Sequence, residues 1–434
     1  MRRSLLAAAF VASSLVLASC AMPADDPNFN AEDAANAAFA EDSAAEADAA
    51  TAATSSVADA LANPTSIGVD VPLAATPAPG AVLVTVSDGS DQSALLTASM
   101  TEAAAALGWT VEEITGADTA LGAVDAFDQA LAQEPAGIHI MGTFADDMAD
   151  SLAAAETAGV PVICTGCSSF APAGITNAAI DGEEQNVAWG NLLAAYVYGN
   201  KAAQEDAGVD MFQIPGGAVA AFNDAFNGEL SSLCRECSTT DNTIDEFVDD
   251  IPFFVADTMS ISLGRWALLD SGAISAGVSE ALTDADVFDP VILIGRGASA
   301  ADIANMQATT FIPAEGADGG AAADTATEDI EAGDAAAAEQ DVDVTGEALN
   351  LDGFGTPEQA ASLQAWTALP VPVMGWRVVD QFARILGGEA PADGPLPTQL
   401  ITPENAGSVV LDPEGNYIGV DGFQQEFLTL WGVQ

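Results

Sequence analysis

Positive charge is what this sequence has least of. Its 434 residues carry eight Lys and Arg against 65 Asp and Glu, a formal charge of −57, and a single histidine. Such a surface repels phosphate backbones and anionic headgroups, which excludes nucleic acid as a partner. It also repels itself unless salt screens it. The Debye length shrinks to about 3 Å at 1 M salt, so a saline habitat and a halophilic protein are expected, an acidic protein of ordinary medium being the alternative. With His139 alone, inside an apolar strand, Ser-His dyads and His-ligated metals have little material. No Gly-x-x-x-x-Gly-Lys phosphate loop occurs, and among 65 acids coincidental carboxylate pairs carry no weight. The chain does not read as an enzyme: no catalytic residue, metal or cofactor is expected.

Long apolar runs are scarce too. Leu5–Leu17 is the one greasy stretch of note, preceded by Arg2 and Arg3 and closed by Leu17-Ala18-Ser19-Cys20. It is shorter than the roughly 20 residues a bilayer crossing needs, and its flanks are those of an export signal. The Leu-Ala-Ser-Cys ending resembles the lipobox of bacterial lipoproteins, which implies cleavage after residue 19 and a lipid on Cys20. An ordinary secretory signal with a chance Cys is the alternative. The expected location is extracytoplasmic, tethered to the cell membrane through that lipid only.

Cysteine is sparse and paired. Apart from Cys20 there are four, spaced as Cys164/Cys167 and Cys234/Cys237. An even count in an oxidising compartment reads as two disulfides, and local pairing is the simplest connectivity. A four-Cys zinc site or a redox Cys-x-x-Cys are the competitors. The latter wants its motif opening a helix, whereas Cys164 ends an apolar strand and Cys234 follows a helical stretch.

What is present is an α/β pattern between two acidic, low-complexity segments. Residues 20–79 are Ala-, Asp-, Glu-, Thr- and Pro-rich, a composition expected to form a flexible tether. From Gly80, strands and helices alternate: Ala81–Val86, Trp109–Ile114, Gly137–Met141 and Val160–Cys164 read as strands with helices between. A second series follows with strands Val209–Ile214, Thr243–Val248, Trp266–Leu269 and Val291–Gly295. Repeated βα units demand parallel sheets covered on both faces. Two successive series predict two doubly wound lobes joined by a multi-crossing hinge: residues 80–182 with about 353–400, and residues 183–312 with about 401–434, the latter stretch including hinge segments. An acidic insertion spans 313–352. Near the C-terminus, Val371–Val373 reads as a strand and Trp376–Leu386 as a helix.

The order and spacing of these elements resemble the type I periplasmic binding proteins, the ribose-binding-like receptors that feed ABC importers. The specific stretches are Gly375-Trp376-Arg377-Val378-Val379-Asp380, Ile385-Leu386-Gly387-Gly388-Glu389, Leu396–Asn405 and Phe427–Val433, with Ala221–Phe226 before the Cys234 pair. The resemblance covers residues 80–312 and 353–434. It implies a monomeric receptor whose lobes close on a small ligand, a sugar by preference, and whose closed form meets ABC permease subunits. A nucleoside, autoinducer or amino-acid-like ligand is the alternative, as is a cell-surface structural lipoprotein with a degenerate site.

In open α/β sheets ligands bind beyond the carboxyl ends of the strands. That rule selects Ser87 and Asp88 after the first strand, Phe144 after the third, Asp181 at the crossing between lobes, Asp270 and Arg296 at later strand ends, and Trp376 beside a crossing. Arg296, one of the few cations, is expected to hold hydroxyls or a carboxylate, or to pair with Asp270. One departure matters. Ribose-type receptors carry an Asp-Arg pair after the fourth strand, where this chain reads Thr165-Gly166-Cys167-Ser168.

Overall fold

The computed structural model describes residues 51–117, 119–168, 173–201, 207–244, 248, 250–285, 290–309, 357–392 and 394–433, with side chains left out at 143, 144 and 146. The expected signal, the tether before residue 51 and the insertion at 313–352 lie outside the described residues.

A helix through residues 51–60 (α1) leads to strand β1 (Val82–Ser87). Then follow α2 (Asp91–Ala106), β2 (Thr110–Thr115), α3 (Ala120–Leu131), β3 (Gly137–Met141), α4 (Ala149–Ala158), β4 (Val162–Thr165) and β5 (Asn177–Ile180). These strands form one sheet in the order β2-β1-β3-β4-β5, all parallel. The central β1, β3 and β4 are apolar and buried. Edge strand β2 (Thr-Val-Glu-Glu-Ile-Thr) is largely polar and mostly exposed, as suits the edge of a sheet.

The second series is α5 (Glu183–Asn200), β6 (Gly208–Gln213), α6 (Val219–Leu233), β7 (Ser238–Thr243), α7 (Ile251–Ile261), β8 (Trp266–Leu269), α8 (Val278–Asp284), β9 (Ile292–Arg296), α9 (Ala300–Ala308), α10 (Pro357–Ser362), β10 (Ala365–Thr367), α11 (Val371–Leu386), β11 (Leu400–Ile401) and α12 (Phe423–Trp431). Its sheet runs β11-β10-β9-β8-β6-β7, parallel except for β10 with β11. Each sheet has its own apolar core, around Phe127, Ile138 and Leu152 in one and Phe212, Leu269 and Ile303 in the other. A third cluster joins the lobes through α5 and α11, with Trp189, Val373 and Phe382. The architecture is two parallel α/β lobes with several chain crossings between them.

The structure differs from the sequence reading in four places. Residues 61–79 are not a free tether. Ile67 and Val69 are buried, and the carbonyls of Ile67 and Val71 accept from the Nη2 atoms of Arg377 and Arg384, both at 2.7 Å. The composition is tether-like, but its few apolar residues and its backbone are captured by cations placed elsewhere in the chain. The strand expected at Thr243–Val248 lies earlier, at β7: a polar edge strand lacks the apolar run by which strands are found. Val371–Val373 is the first turn of α11, with proline near the helix start, where its missing N–H costs nothing. Finally, β10 pairs with β9 in the second sheet, and α12 packs on α11, which itself lies against α2, β4 and β5. Residues 365–367, within the stretch expected in the first lobe, therefore lie in the second sheet.

Helix α11 gathers apolar packing, a close backbone approach and a buried ion pair in one element. It is buried from Val371 to Arg384. Gly375 lets it approach α2 closely, since a Cβ there would stand 2.5 Å from the Ser99 Cβ. Arg384 grips Asp380 through Nε (2.9 Å) and Nη2 (3.2 Å), and the Trp431 indole donates to the same carboxylate at 2.9 Å. Cations are few, and these two are spent inside the protein on carbonyls and a carboxylate.

Candidate functional site

The carboxyl ends of both sheets face one cavity of about 300 Å³. The first lobe supplies Asp88 after β1, Met141 and Gly142 at the end of β3, Thr165 and Gly166 at β4, and Asp181 after β5. The second supplies Ile214–Gly217 after β6, Asp270 and Ser271 after β8, and Arg296 at the end of β9. The lobes touch at its edge, where the Ala218 N–H donates to the Gly166 carbonyl at 2.8 Å. Gly217, at φ 62°, permits this approach: a Cβ on it would lie 2.9 Å from the Gly166 oxygen.

Asp270 is fully buried. Its Oδ2 accepts from the Ile214 N–H at 2.8 Å and from Asn223 Nδ2 at 3.2 Å, while Oδ1 has no hydrogen-bond partner among the described residues. Burial pushes its carboxyl up to about 6, against the opposing pull of those two donors and the Arg296 charge. Asp88 behaves oppositely. Burial resists its ionisation, but donors from Ser93 and Ser90 outweigh that and hold the carboxyl below its usual range. The Ser90 N–H lies at 2.9 Å and the Ser90 hydroxyl at 2.7 Å, and Ser90 in turn caps α2 by accepting from the Ser93 N–H.

Arg296 is spoken for within the protein. Its Nη2 donates to Asp181 Oδ2 at 2.5 Å and its Nε to Asn186 Oδ1 at 2.7 Å, with the guanidinium carbon 5.3 Å from the Trp189 ring centroid. The expected alternative of pairing with Asp270 is replaced by pairing with Asp181. Asp181 sits at φ 51°, in the left-handed region, where the chain turns from β5 into α5. Asn186 holds that turn by donating to the Asp181 carbonyl at 2.9 Å.

Of the sequence candidates, the cavity thus gathers Asp88, Asp181, Asp270 and Arg296. Ser87 does not line it: its hydroxyl donates to Glu113 Oε1 at 2.5 Å, because strand alternation puts it on the sheet face it shares with Glu113 and Thr115 of β2. Trp376 does not reach it either. That ring stacks on Trp431 at 5.3 Å and meets Phe423 edge-on at 6.0 Å, on the outer side of α11. The Phe144 side chain lies outside the described residues. Sequence reasoning missed Thr165, Asn186, Asn223 and Met374. The asparagines had one available signal, a polar residue on the apolar face of a helix.

Cys164–Cys167 and Cys234–Cys237 are each disulfide-bonded. The first bridges the two residues, Thr165 and Gly166, that contact the cavity. Among the described residues no group of His, Cys, Asp and Glu could hold a metal ion, and no helix is long and apolar enough to cross a membrane.

Residues 80–206 match the family of periplasmic binding proteins and sugar binding domain of the LacI family. Solved structures with the same fold include an ABC transporter solute binding protein from Agrobacterium vitis with bound allitol, 14% identical, covering 76% of this chain and 97% of that one at a TM-score of 0.56. The fold is that of a type I periplasmic binding protein. A carbohydrate transporter solute binding protein from Agrobacterium radiobacter in complex with D-arabinose matches similarly, at 13% identity, 76% and 96% coverage and a TM-score of 0.56. A 5-methylthioribose transporter solute binding protein from Thermotoga lettingae in complex with 5-methylthioribose is 13% identical, with 84% and 100% coverage and a TM-score of 0.58. No curated protein sequence matches the chain. The cavity described above lies between the lobes at the strand ends, the position at which open α/β sheets in general bind ligands.

Proposed function

We propose that this type I periplasmic binding protein is an extracytoplasmic receptor that captures a sugar or similar small polyol between its lobes and presents it to an ABC importer. The observation that carries the reading is the Asp270 carboxylate, buried at the cavity wall with one oxygen unpartnered. A buried acceptor left without a donor costs about 1–3 kcal/mol, which a ligand hydroxyl would recover on binding. The remaining lining agrees. Asp88, Ser90, Gln92, Thr165 and Ser271 offer polar groups, and Leu96, Ile214, Val371 and Met374 offer aliphatic surface for a ring or carbon chain. About 300 Å³ is at the small end of ligand sites, which suits a monosaccharide better than a dinucleotide.

Closure follows from the geometry. A ligand touching both Asp88 and Asp270 favours the shut form, and only that difference in affinity can move the lobes. Permease subunits then read the closed surface, and a lipid on Cys20 keeps the receptor at the membrane. The relatives' ligands, allitol, D-arabinose and 5-methylthioribose, share the hydroxyl-rich chemistry this cavity suits.

The test is thermal denaturation in molar salt with neutral sugars, polyols, nucleosides and amino acids. A ligand at a hundredfold excess over its Kd stabilises by about 2.7 kcal/mol. Stabilisation by a neutral sugar or polyol is expected. Stabilisation by nucleosides or amino acids alone, or by none of these solutes, would overturn the reading.

A further inference from the structure

The only histidine of the chain lies one hydrogen bond from the cavity, in a place where its protonation pattern is dictated by its neighbours. Thr85 on β1 stands directly across from His139 on β3, and Thr165 lies near the end of β4. Thr85 Oγ1 is 2.9 Å from His139 Nδ1, and His139 Nε2 is 3.2 Å from Thr165 Oγ1. All three residues are buried, with His139 fully enclosed. Thr165 alone of the three also lines the cavity.

Burial drives the imidazole down to about 3, so the ring is neutral at any pH the protein meets and holds one N–H and one bare nitrogen. Which nitrogen carries the hydrogen is a question of donor accounting. The Thr85 hydroxyl has His139 Nδ1 as its partner among the described residues. If Nδ1 carried the proton, the Thr85 hydrogen would be left buried without an acceptor, at a cost of about 1–3 kcal/mol. If Nε2 carries it, Thr85 donates to Nδ1, Nε2–H donates to Thr165, and the one hydrogen left over belongs to Thr165, the member of the chain that lines the cavity. The Thr165 hydrogen is then free for an acceptor in the cavity that Thr165 lines.

We propose that His139, as the Nε2–H tautomer set by Thr85, is a positioning residue that makes the Thr165 hydroxyl a hydrogen-bond donor to the ligand. This rests on the cavity being the ligand site, and it adds a chemical specification: the ligand presents an acceptor oxygen, a ring or carbonyl oxygen or a hydroxyl lone pair, at Thr165, while it presents a donor at Asp270. Here a neutral relay from the sheet interior supplies the polarity that a charged side chain would otherwise give.

The chain's one histidine makes the test direct, because its ring nitrogens are the only imidazole signals in a ¹⁵N-labelled sample. Long-range ¹H–¹⁵N correlation spectra of the ligand-free protein in molar salt are expected to show Nε2 protonated and Nδ1 bare, unchanged between pH 8 and pH 5. An Nδ1–H ring, or an imidazolium at pH 6, overturns the inference. The second arm uses D-arabinose, D-ribose, D-galactose and allitol as probes. For any probe that binds, Thr165→Val is expected to weaken binding about tenfold and Thr165→Ser to leave it within threefold. Equal affinity of Thr165→Val and the parent overturns the donor role. If no probe binds while the ring is Nε2–H, it is the reading of the cavity that fails, and the relay within the sheet is upheld.

Discussion

Replacing Arg296 by methionine is the perturbation that bears most on how the two lobes are joined. The guanidinium and the Asp181 carboxylate are both nearly enclosed, with side-chain exposures of 6% and 8%. Methionine keeps the length and the apolar stem but leaves Asp181 as an uncompensated buried charge and removes the donor to Asn186 Oδ1. Deleting one partner of a buried pair costs about 3–5 kcal/mol, whereas deleting both leaves no stranded charge and is often close to neutral. Urea denaturation in molar salt, followed by tryptophan fluorescence, is therefore expected to show Arg296→Met destabilised by about 3 kcal/mol or more. Adding Asp181→Asn should restore at least half of that loss. The pairing also has a functional corollary. An Arg296 whose charge is already neutralised by Asp181 offers an acidic ligand no net positive charge, so sugar acids should bind no better than neutral sugars. A single-mutant loss below about 1 kcal/mol would refute the reasoning, since it would mean that Asp181 is solvated once Arg296 is gone.

Four further outcomes follow from the geometry. Because the Asp270 carboxyl is raised from 3.8 to about 6, the native state holds a proton that the unfolded chain has lost between those values. Stability from this residue is full below about pH 4, falls by on the order of 3 kcal/mol as pH rises through 6, and is level above. Asp270→Asn should remove that part of the slope, and parent and variant urea midpoints that run parallel from pH 4 to 7 would contradict it. Trp376→Ala should destabilise by about 3–5 kcal/mol yet leave sugar affinity unchanged, since the ring packs on Trp431, away from the cavity; calorimetric titration of the folded variant checks this. Intact-mass analysis after alkylation of native, unreduced protein should find Cys164, Cys167, Cys234 and Cys237 unmodified, and four adducts would refute both disulfides. Fractionation of cells expressing Cys20→Ala should find the protein released from the membrane pellet, and retention equal to the parent's would refute the lipid anchor.

The fold was legible because parallel strands buried on both faces announce themselves as short apolar runs. Val82–Val86, Ile138–Met141 and Trp266–Leu269 needed no tertiary information, and neither did the rule that ligands sit at strand ends, which located Asp88, Asp181, Asp270 and Arg296. Edge strand β7 was misplaced because Ser-Thr-Thr-Asp-Asn-Thr has no apolar alternation to detect. The segment at 61–79 was misread because what orders it, Arg377 and Arg384, lies some 310 residues further along the chain. Local composition cannot report a distant partner. Ser87 and Trp376 failed for a third reason. Both lie next to a crossing or strand end, but strand alternation in one case and helix phase in the other turn the side chain away, and one residue of offset decides which way it points. His139 was read as a core residue, which its burial supports; its contact with Thr165 becomes visible only when β3 and β4 are set side by side.

The claim on which the rest depends is that a small hydroxylated solute is held between the lobes. The most direct measurement is a crystal structure of the protein grown with the sugar or polyol that most raises its thermal stability. The account predicts density for that molecule between Asp88 and Asp270, with a ligand hydroxyl donating to Asp270 Oδ1. A stabilising ligand found elsewhere on the surface, with the cavity holding only solvent and Asp270 Oδ1 unchanged, would contradict it.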